Sequence, residues 1–394
     1  MSLRVLVLCL HSSPGSRPGV ADAGGMNVYV RHTCAELVAA GHQVQCLTLP
    51  RDGEESLGER PAWLEELPVP VGAVTKAELP DHLPSITTAA LAAAGPADVV
   101  LAHYWISAAV GAQIAATRGI PLVTIFHTTA AAKNARAGPD ESPEPESRDR
   151  AERELARAST SIVVNTPDEA DQLAANLAVD RPKIHPIKPG IDATIFRPDG
   201  ADLSLAPGSE RDLVVGLAGR LQPLKGPQVL ISALAQADLP RLRAWIIGSG
   251  DPGYLDSLRR QVAAAGLDGR VEFLGQLDAP AMADRMRRAD LWAVPSSSET
   301  FGLVAAEAQA CGTPVMATAA DGLNHSVLDG RTGWLLPDRD PQTWAAGLRT
   351  ALLDEQELQR RAAAAARWGQ SLTWTATTKE LITLLSSVAA LPTH

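Results

Sequence analysis

Short apolar runs recur along the chain, and the segments between them carry apolar residues at helical spacing. Arg4 to Leu10 is apolar throughout after Arg4, which predicts a strand covered on both faces. Val28 to Ala40 has helical periodicity and stops at Gly41-His42. The strand pattern returns at Gln43 to Leu49, Asp98 to Ala102, Pro121 to Phe126, Ser161 to Val164 and Lys183 to Ile187. Helical spacing covers 86–94, 106–117, 151–158 and 168–177. Val69 to Val74 reads as a further strand, 50–68 as an exposed connection and 133–150 as a mobile one. Thr75 with Glu78 has the spacing of a capping box. After a loop-like stretch at 201–211 a second series begins, with strands at 213–218, 244–247, 271–274, 289–295, 314–318 and 333–336. Two Ala-rich helices and a last helix at 374–391 close it. Strands alternating with helices predict the α/β class with doubly wound parallel sheets, and two series predict two of them.

Composition narrows the function. A chain of 394 residues can bury two such cores. Its net charge of −10 argues against a nucleic-acid partner, so anionic ligands must meet local basic groups. The four cysteines, Cys9, Cys34, Cys46 and Cys311, show no zinc-ligand spacing. Cys9 and Cys311 lie in apolar runs and read as buried thiols, a reduced and cytoplasmic pattern. The N-terminal apolar run is too short to span a membrane and lacks a signal-cleavage pattern.

Chemistry concentrates at strand-to-helix loops. Ser296 to Pro314 follows a strand, and its helix begins after Gly302 and stops at Gly312. Phe301, Gly302 and Leu303 therefore sit at a helix N-terminus, where free N–H groups favour a phosphate. Glu299 and Glu307 flank that start, and paired carboxylates accept hydrogen bonds from a polyol. The bland alternative is a strand-helix unit with a solvated Glu307. Upstream, Gly219 to Gly226 leaves another strand and carries Arg220 and Lys225, a fork and a point charge suited to a diphosphate. In the first half, Gly24-Gly25-Met26-Asn27 precedes a helix, with Asn27 as N-cap in the plain reading. His103-Tyr104 and His127-Thr128 end two strands in register with His11. A lone histidine at a strand end is more often structural, but three polar clusters at one sheet edge mark a cleft.

Taken together, these residues resemble the retaining glycosyltransferases of family 4, which have the two-Rossmann-domain (GT-B) architecture. The resemblance implies two domains facing a cleft, an acceptor domain at 1–187 and a nucleotide-sugar domain at 188–373. The helix at 374–391 would return to the first. It places Arg220 and Lys225 on the donor diphosphate, Glu299 on the transferred sugar and Glu307 on the ribose. Phe301, Gly302 and Leu303 would line the donor site. Asp321 stands where the family favours glycine. No Asp-x-Asp ends a strand, so no metal and no cofactor beyond the nucleotide sugar is expected.

The first half is similar to one subgroup, the D-inositol-3-phosphate glycosyltransferases of mycothiol biosynthesis. The likeness runs through Ser13-Pro14, Asp22 to Tyr29, Lys76 with Glu78-Leu79-Pro80, His103-Tyr104-Trp105, and His127-Thr128 with Ala131 to Asn134. It implies that Lys76, Tyr104, Thr128 and either Arg148 or Arg150 hold an acceptor phosphate. Gly25 would face the donor diphosphate, Asn27 the acceptor, and His127 the reacting centre. His127, Glu299, Arg220 and Lys225 are the expected catalytic set. The best expectation is transfer from UDP-N-acetylglucosamine to inositol phosphate with retained configuration, after closure about Lys188-Pro189-Gly190. Ala102, Ser107-Ala108-Ala109, Thr129 and Gly248-Ser249-Gly250-Asp251 depart from the subgroup. They keep open a recruited antibiotic-pathway enzyme using a GDP- or UDP-sugar and a thiol such as ergothioneine. A nucleotide-sugar epimerase and a non-catalytic binder are the other rivals. The partners expected are a small donor and a small acceptor, with a homodimer possible.

Overall fold

The computed structural model describes residues 2–17, 24–50, 52–53, 55–71, 74–135, 143–198 and 211–391. The chain divides into two compact units, Met1–Pro189 with Trp374–His394, and Gly190–Thr373. In the first, β1 (Arg4–Cys9) leads through a long loop to α1 (Gly25–Ala39), then β2 (Gln43–Thr48) and a short β3 (Leu64–Glu66). Then follow α2 (Leu83–Ala93), β4 (Val99–His103), α3 (Trp105–Arg118), β5 (Leu122–Ile125), α4 (Ala130–Asn134), α5 (Glu146–Ala158), β6 (Ser161–Val164), α6 (Pro167–Leu177) and β7 (Ile184–Pro186). The seven strands form one sheet in the order β3-β2-β1-β4-β5-β6-β7. Every pairing is parallel: Arg4 stands opposite Gln43 on one side of β1 and Val5 opposite Val99 on the other.

The second unit contains β8 (Leu213–Ala218), α7 (Pro227–Gln236), β9 (Leu242–Ile247), α8 (Pro252–Ala264), β10 (Val271–Gly275), α9 (Ala279–Arg288) and β11 (Leu291–Val294). It continues with α10 (Leu303–Ala310), β12 (Val315–Thr318), α11 (Leu323–Ser326), β13 (Gly333–Leu336), α12 (Pro341–Leu353) and α13 (Glu355–Ser371). Its six strands run in the order β10-β9-β8-β11-β12-β13, again all parallel. The last helix, α14 (Trp374–Ala389), belongs to the first unit. Trp374, Leu381, Leu385 and Val388 pack there with Tyr29, Leu37 and the core-facing residues of β1 and β4.

In both sheets the order reverses beside the first strand of the unit, between β1 and β4 and between β8 and β11. At such a reversal the two following connections go to opposite faces and leave a crevice at the carboxyl edge. That geometry fixes where ligand groups can stand.

Four local expectations are corrected. Helix α1 starts at Gly25 rather than Val28, because Asn27 is not the N-cap: its Oδ1 accepts from Gly24 N at 2.8 Å from within the first turn. The connection at 50–68 contains β3, which pairs with β2 through Cys46, Leu47 and Thr48. Val69 to Val71 form no strand, since their N–H groups turn back to Leu67 and Val69 carbonyls; Gly72 and Ala73 lie outside the described residues. The stretch 143–150 is structured, with α5 starting at Glu146. Residues 201–210 of the loop-like stretch lie outside the described residues. Elsewhere β6, β8 and β13 have the expected bounds, and all four cysteines are buried free thiols.

Trp292 is fully buried and packs against the bare backbone of Gly216, its partner across β8 and β11. A Cβ at Gly216 would come within 2.1 Å of the indole ring. Gly216→Ala should therefore destabilise this unit by about 1–3 kcal/mol through overpacking, read as a lower denaturant midpoint of the full chain.

Candidate functional site

In the second unit, the loops after β8 and β11 face one another across the reversal. The β8 loop turns through a short 3₁₀ segment, Pro223–Lys225, and is stopped by Gly226 at φ +76°. A side chain at Gly226 would lie 2.3 Å from the Pro295 carbonyl oxygen, so the close approach of the two loops needs glycine. Ser297 N donates to Leu224 O at 2.9 Å and locks one loop to the other. Across this join Lys225 Nζ donates to Glu299 Oε1 at 2.5 Å, and Ser296 Oγ donates to the same oxygen at 3.0 Å. Arg220 stands exposed where β8 ends; Gly219 N and Leu221 N on either side bond to Ile247 O and Ser249 O.

Phe301 is fully buried and anchors the second loop. Gly302, at φ +89°, turns it into α10, whose first residue is Leu303. Ala305 N and Ala306 N both close onto Gly302 O, at 3.0 and 3.1 Å, and set the first turn of α10. Glu307 is half-buried on α10; burial pushes its carboxyl up to about 8, and the Asp192 carboxylate adds to the shift. Asp321 adopts φ +42°, a left-handed conformation that glycine takes without strain and aspartate tolerates. Gly322 N beside it donates to Glu299 O at 2.9 Å.

In the first unit, His11 follows β1, His103 ends β4, and His127 follows β5. Tyr104 and His127 both have positive φ, +74° and +57°. Such backbone strain in bulky residues concentrates at functional sites. His103 Nδ1 lies 3.0 Å from His127 Nε2, so one ring donates to the other. Burial holds both imidazoles neutral, His103 well below its usual value and His127 at about 3. Tyr29 packs its ring against both.

Tyr104 is the hub of a cationic cluster. Lys76 Nζ lies 4.6 Å from its ring centroid, the Arg148 guanidinium carbon 4.9 Å, and the His11 ring 4.1 Å. Burial pushes the phenol up to about 12, against the pull of Arg148. Arg148 is only 4% exposed. Its Nε donates to Glu152 Oε1 at 2.7 Å, and its Nη2 donates to Thr128 O at 3.1 Å. Glu152 also accepts from Ala130 N at 2.7 Å, which fixes the turn after Thr128.

The structure thus brings Lys76, Tyr104, Thr128 and Arg148 together, and distinguishes Arg148 from the exposed Arg150. It brings Lys225 and Glu299 into contact and sets Arg220, Phe301, Gly302, Leu303 and Glu307 on or beside the same two loops. Gly25 is the first residue of α1. Asn27 is 1% exposed, and its amide is committed to its own loop: Nδ2 donates to Ser12 Oγ at 2.8 Å and Ser13 O at 2.7 Å. It shapes the β1–α1 loop rather than presenting an open amide. Sequence reasoning missed His103 as the partner of His127, and Glu152 as the partner of Arg148. The four-residue spacing of Arg148 and Glu152 was a signal for the second. Among the described residues no group of histidine, cysteine and carboxylate side chains could hold a metal, and no helix is long and apolar enough to cross a membrane.

Two parallel-sheet Rossmann-like units with polar loops at these strand ends are the two domains of a GT-B fold. Sucrose-phosphate synthase from Thermosynechococcus elongatus matches with a TM-score of 0.87 at 26% identity, over 98% of this chain and 99% of that one. Anabaena HepE in complex with UDP and glucose shares the fold, with a TM-score of 0.75 at 23% identity over 98% and 100%. The sequence matches the models for Glycosyltransferase Family 4 over 23–195 and for Glycosyl transferases group 1 over 206–368. It is 39% identical to the D-inositol 3-phosphate glycosyltransferase of Jonesia denitrificans, over 96% of this chain and 95% of that protein. It is 37% identical to that of Nocardia farcinica, over 96% and 88%. The chain belongs to glycosyltransferase family 4, in the D-inositol 3-phosphate glycosyltransferase group, and is a hexosyltransferase.

The neutral histidine pair has a consequence for stability. The unfolded chain takes up protons at both imidazoles below about pH 6.5 while the folded chain does not. Stability should therefore fall as pH drops from 7 to 5 and be fully present above the unfolded value. Urea midpoints across this range should show a shallower slope in His103→Asn, whose amide keeps one hydrogen-bonding group toward His127.

Proposed function

We propose that the protein transfers a sugar, with UDP-N-acetylglucosamine as the donor, to a small phosphorylated acceptor such as inositol phosphate, with retention of configuration and without a metal. The observation that carries this reading is the cluster of Lys76 and Arg148 around Tyr104, beside Thr128. Two cations and two neutral hydroxyl donors match the charge and the acceptor-rich surface of a phosphate monoester. The name shared by the curated relatives supports the acceptor class.

In this reading the second unit holds the donor. Arg220 and Lys225 meet the diphosphate, and the α10 N-terminus at Gly302 and Leu303 adds backbone N–H groups. Glu299 accepts from the sugar hydroxyls and Glu307 meets the ribose. The bond from the anomeric carbon to the diphosphate oxygen breaks as the acceptor oxygen bonds to the same face of that carbon. The acceptor's proton passes to the departing phosphate oxygen. Charge grows on that oxygen, and groups fixed beforehand to receive it lower the barrier. His127, strained and neutral, serves as a hydrogen-bonding group at the reacting centre rather than as a cation.

Lys76→Ala should raise the acceptor KM at least tenfold while the donor KM changes less than twofold, since a charge-assisted hydrogen bond is worth roughly 1.5–3 kcal/mol. Equal changes in both would refute the acceptor assignment. Initial rates in the presence of EDTA should match those without it; a rate restored only by a divalent cation would refute metal independence.

A further inference from the structure

One carboxylate stands among the cations of the first unit and has no part in the reaction above. Glu144 lies just before α5. Its Oε2 is 2.8 Å from Arg148 Nη1, and its other oxygen accepts from Lys133 Nζ. Asn134 pins the residue through the backbone: Glu144 N donates to Asn134 Oδ1 at 2.7 Å, and Asn134 Nδ2 donates to Glu144 O at 3.3 Å. Its side chain is 20% exposed, so it sits at the rim of the cluster and not in its interior. Burial alone would raise its carboxyl; the hydrogen bond from Lys133 and the charge of Arg148 outweigh that and hold it below the usual range.

Glu144 is not needed to neutralise Arg148. Glu152, wholly buried, already does so from the Nε side. The Nη2 end of the fork is directed at the Thr128 carbonyl. The Nη1 end, toward the rim, is the end that Glu144 occupies. A ligand anion that reaches Arg148 from the rim meets that same end.

We propose that Glu144 is a specificity-determining resident anion: it occupies Arg148 and Lys133 in the empty protein and yields to a phosphate dianion. This rests on the acceptor reading of the Lys76–Tyr104–Thr128–Arg148 cluster. A carboxylate carries one charge and a phosphate monoester at neutral pH close to two. The exchange therefore favours a dianion and leaves a neutral or singly charged acceptor little to gain. Specificity of this kind is a difference between two affinities, set as much by the displaced group as by the ligand. Lys133 becomes a third phosphate-binding cation once Glu144 has moved.

Titration calorimetry of inorganic phosphate into the full chain tests the proposal, with Glu144→Gln and Lys76→Ala alongside the unchanged protein. Glu144→Gln should bind phosphate about two- to fivefold more tightly, the effect of removing one partly exposed charge pair. It should lower the KM for inositol phosphate by a similar factor, yet melt at a lower temperature because both ion pairs are lost. A merely structural role would lower phosphate affinity and melting temperature together. Unchanged or weaker phosphate binding in Glu144→Gln would overturn the proposal. Lys76→Ala with unchanged phosphate binding would instead sink the acceptor reading itself, whatever Glu144→Gln does.

Discussion

The contact between Lys225 and Glu299 is the interaction on which the second unit's chemistry turns. It joins the loops of two neighbouring parallel strands at the one place where the strand order reverses. An ion pair whose side chains are 24% and 18% exposed adds about 1 kcal/mol, so the pair does not hold the fold. Its consequence is geometric. Two groups 74 residues apart in sequence are kept within reach of one ligand, and the Ser297–Leu224 backbone bond keeps the loops from parting. The stiffness comes from below, where Trp292 and Gly216 pack β11 against β8 with no space between.

The first unit solves the same problem differently. Its reversal lies between β1 and β4, and the polar residues leave β1, β4 and β5 at one edge. There the backbone itself is strained: Tyr104 and His127 occupy left-handed or related conformations that bulky side chains avoid. The compensation is aromatic and hydrogen-bonded packing, with Tyr29, His103 and His127 in mutual contact and Trp374 of α14 closing behind Tyr29. The last helix of the chain is thus part of what fixes the first unit's strand ends, which is why its apolar face belongs to that core.

Most of this was legible in the sequence because buried parallel strands leave uninterrupted apolar runs, and β6, β8 and β13 could be bounded to the residue. What was not legible has physical reasons. Strand β3 is three residues long and only Leu64 is buried, so it has no period to detect. Val69 and Val71 are apolar because their side chains enter the core from a loop, which a strand reading mistakes for a ladder. The start of α5 is crowded with proline, glutamate and arginine, a composition normally solvated. Its order comes from charges four apart, Glu144–Arg148, Arg148–Glu152 and Asp149–Arg153, the middle pair buried. Type and position singled out the polar residues at these strand ends; the His103–His127 contact was not visible that way, because register across two strands decides it.

The same charge balance governs each unit separately. The chain carries a net −10, and Lys225, Lys133 and Arg148 each already face at least one carboxylate. A buried cation left without a partner would cost several kcal/mol, so Arg148 could not sit at 4% exposure without Glu152. It follows that an incoming anion does not fill a bare positive hole at these groups. It exchanges places with, or is added beside, a carboxylate that is already there. Affinity then depends on the difference between ligand and resident, and a protein with an overall acidic surface can recognise phosphates by local exchange where long-range attraction would fail.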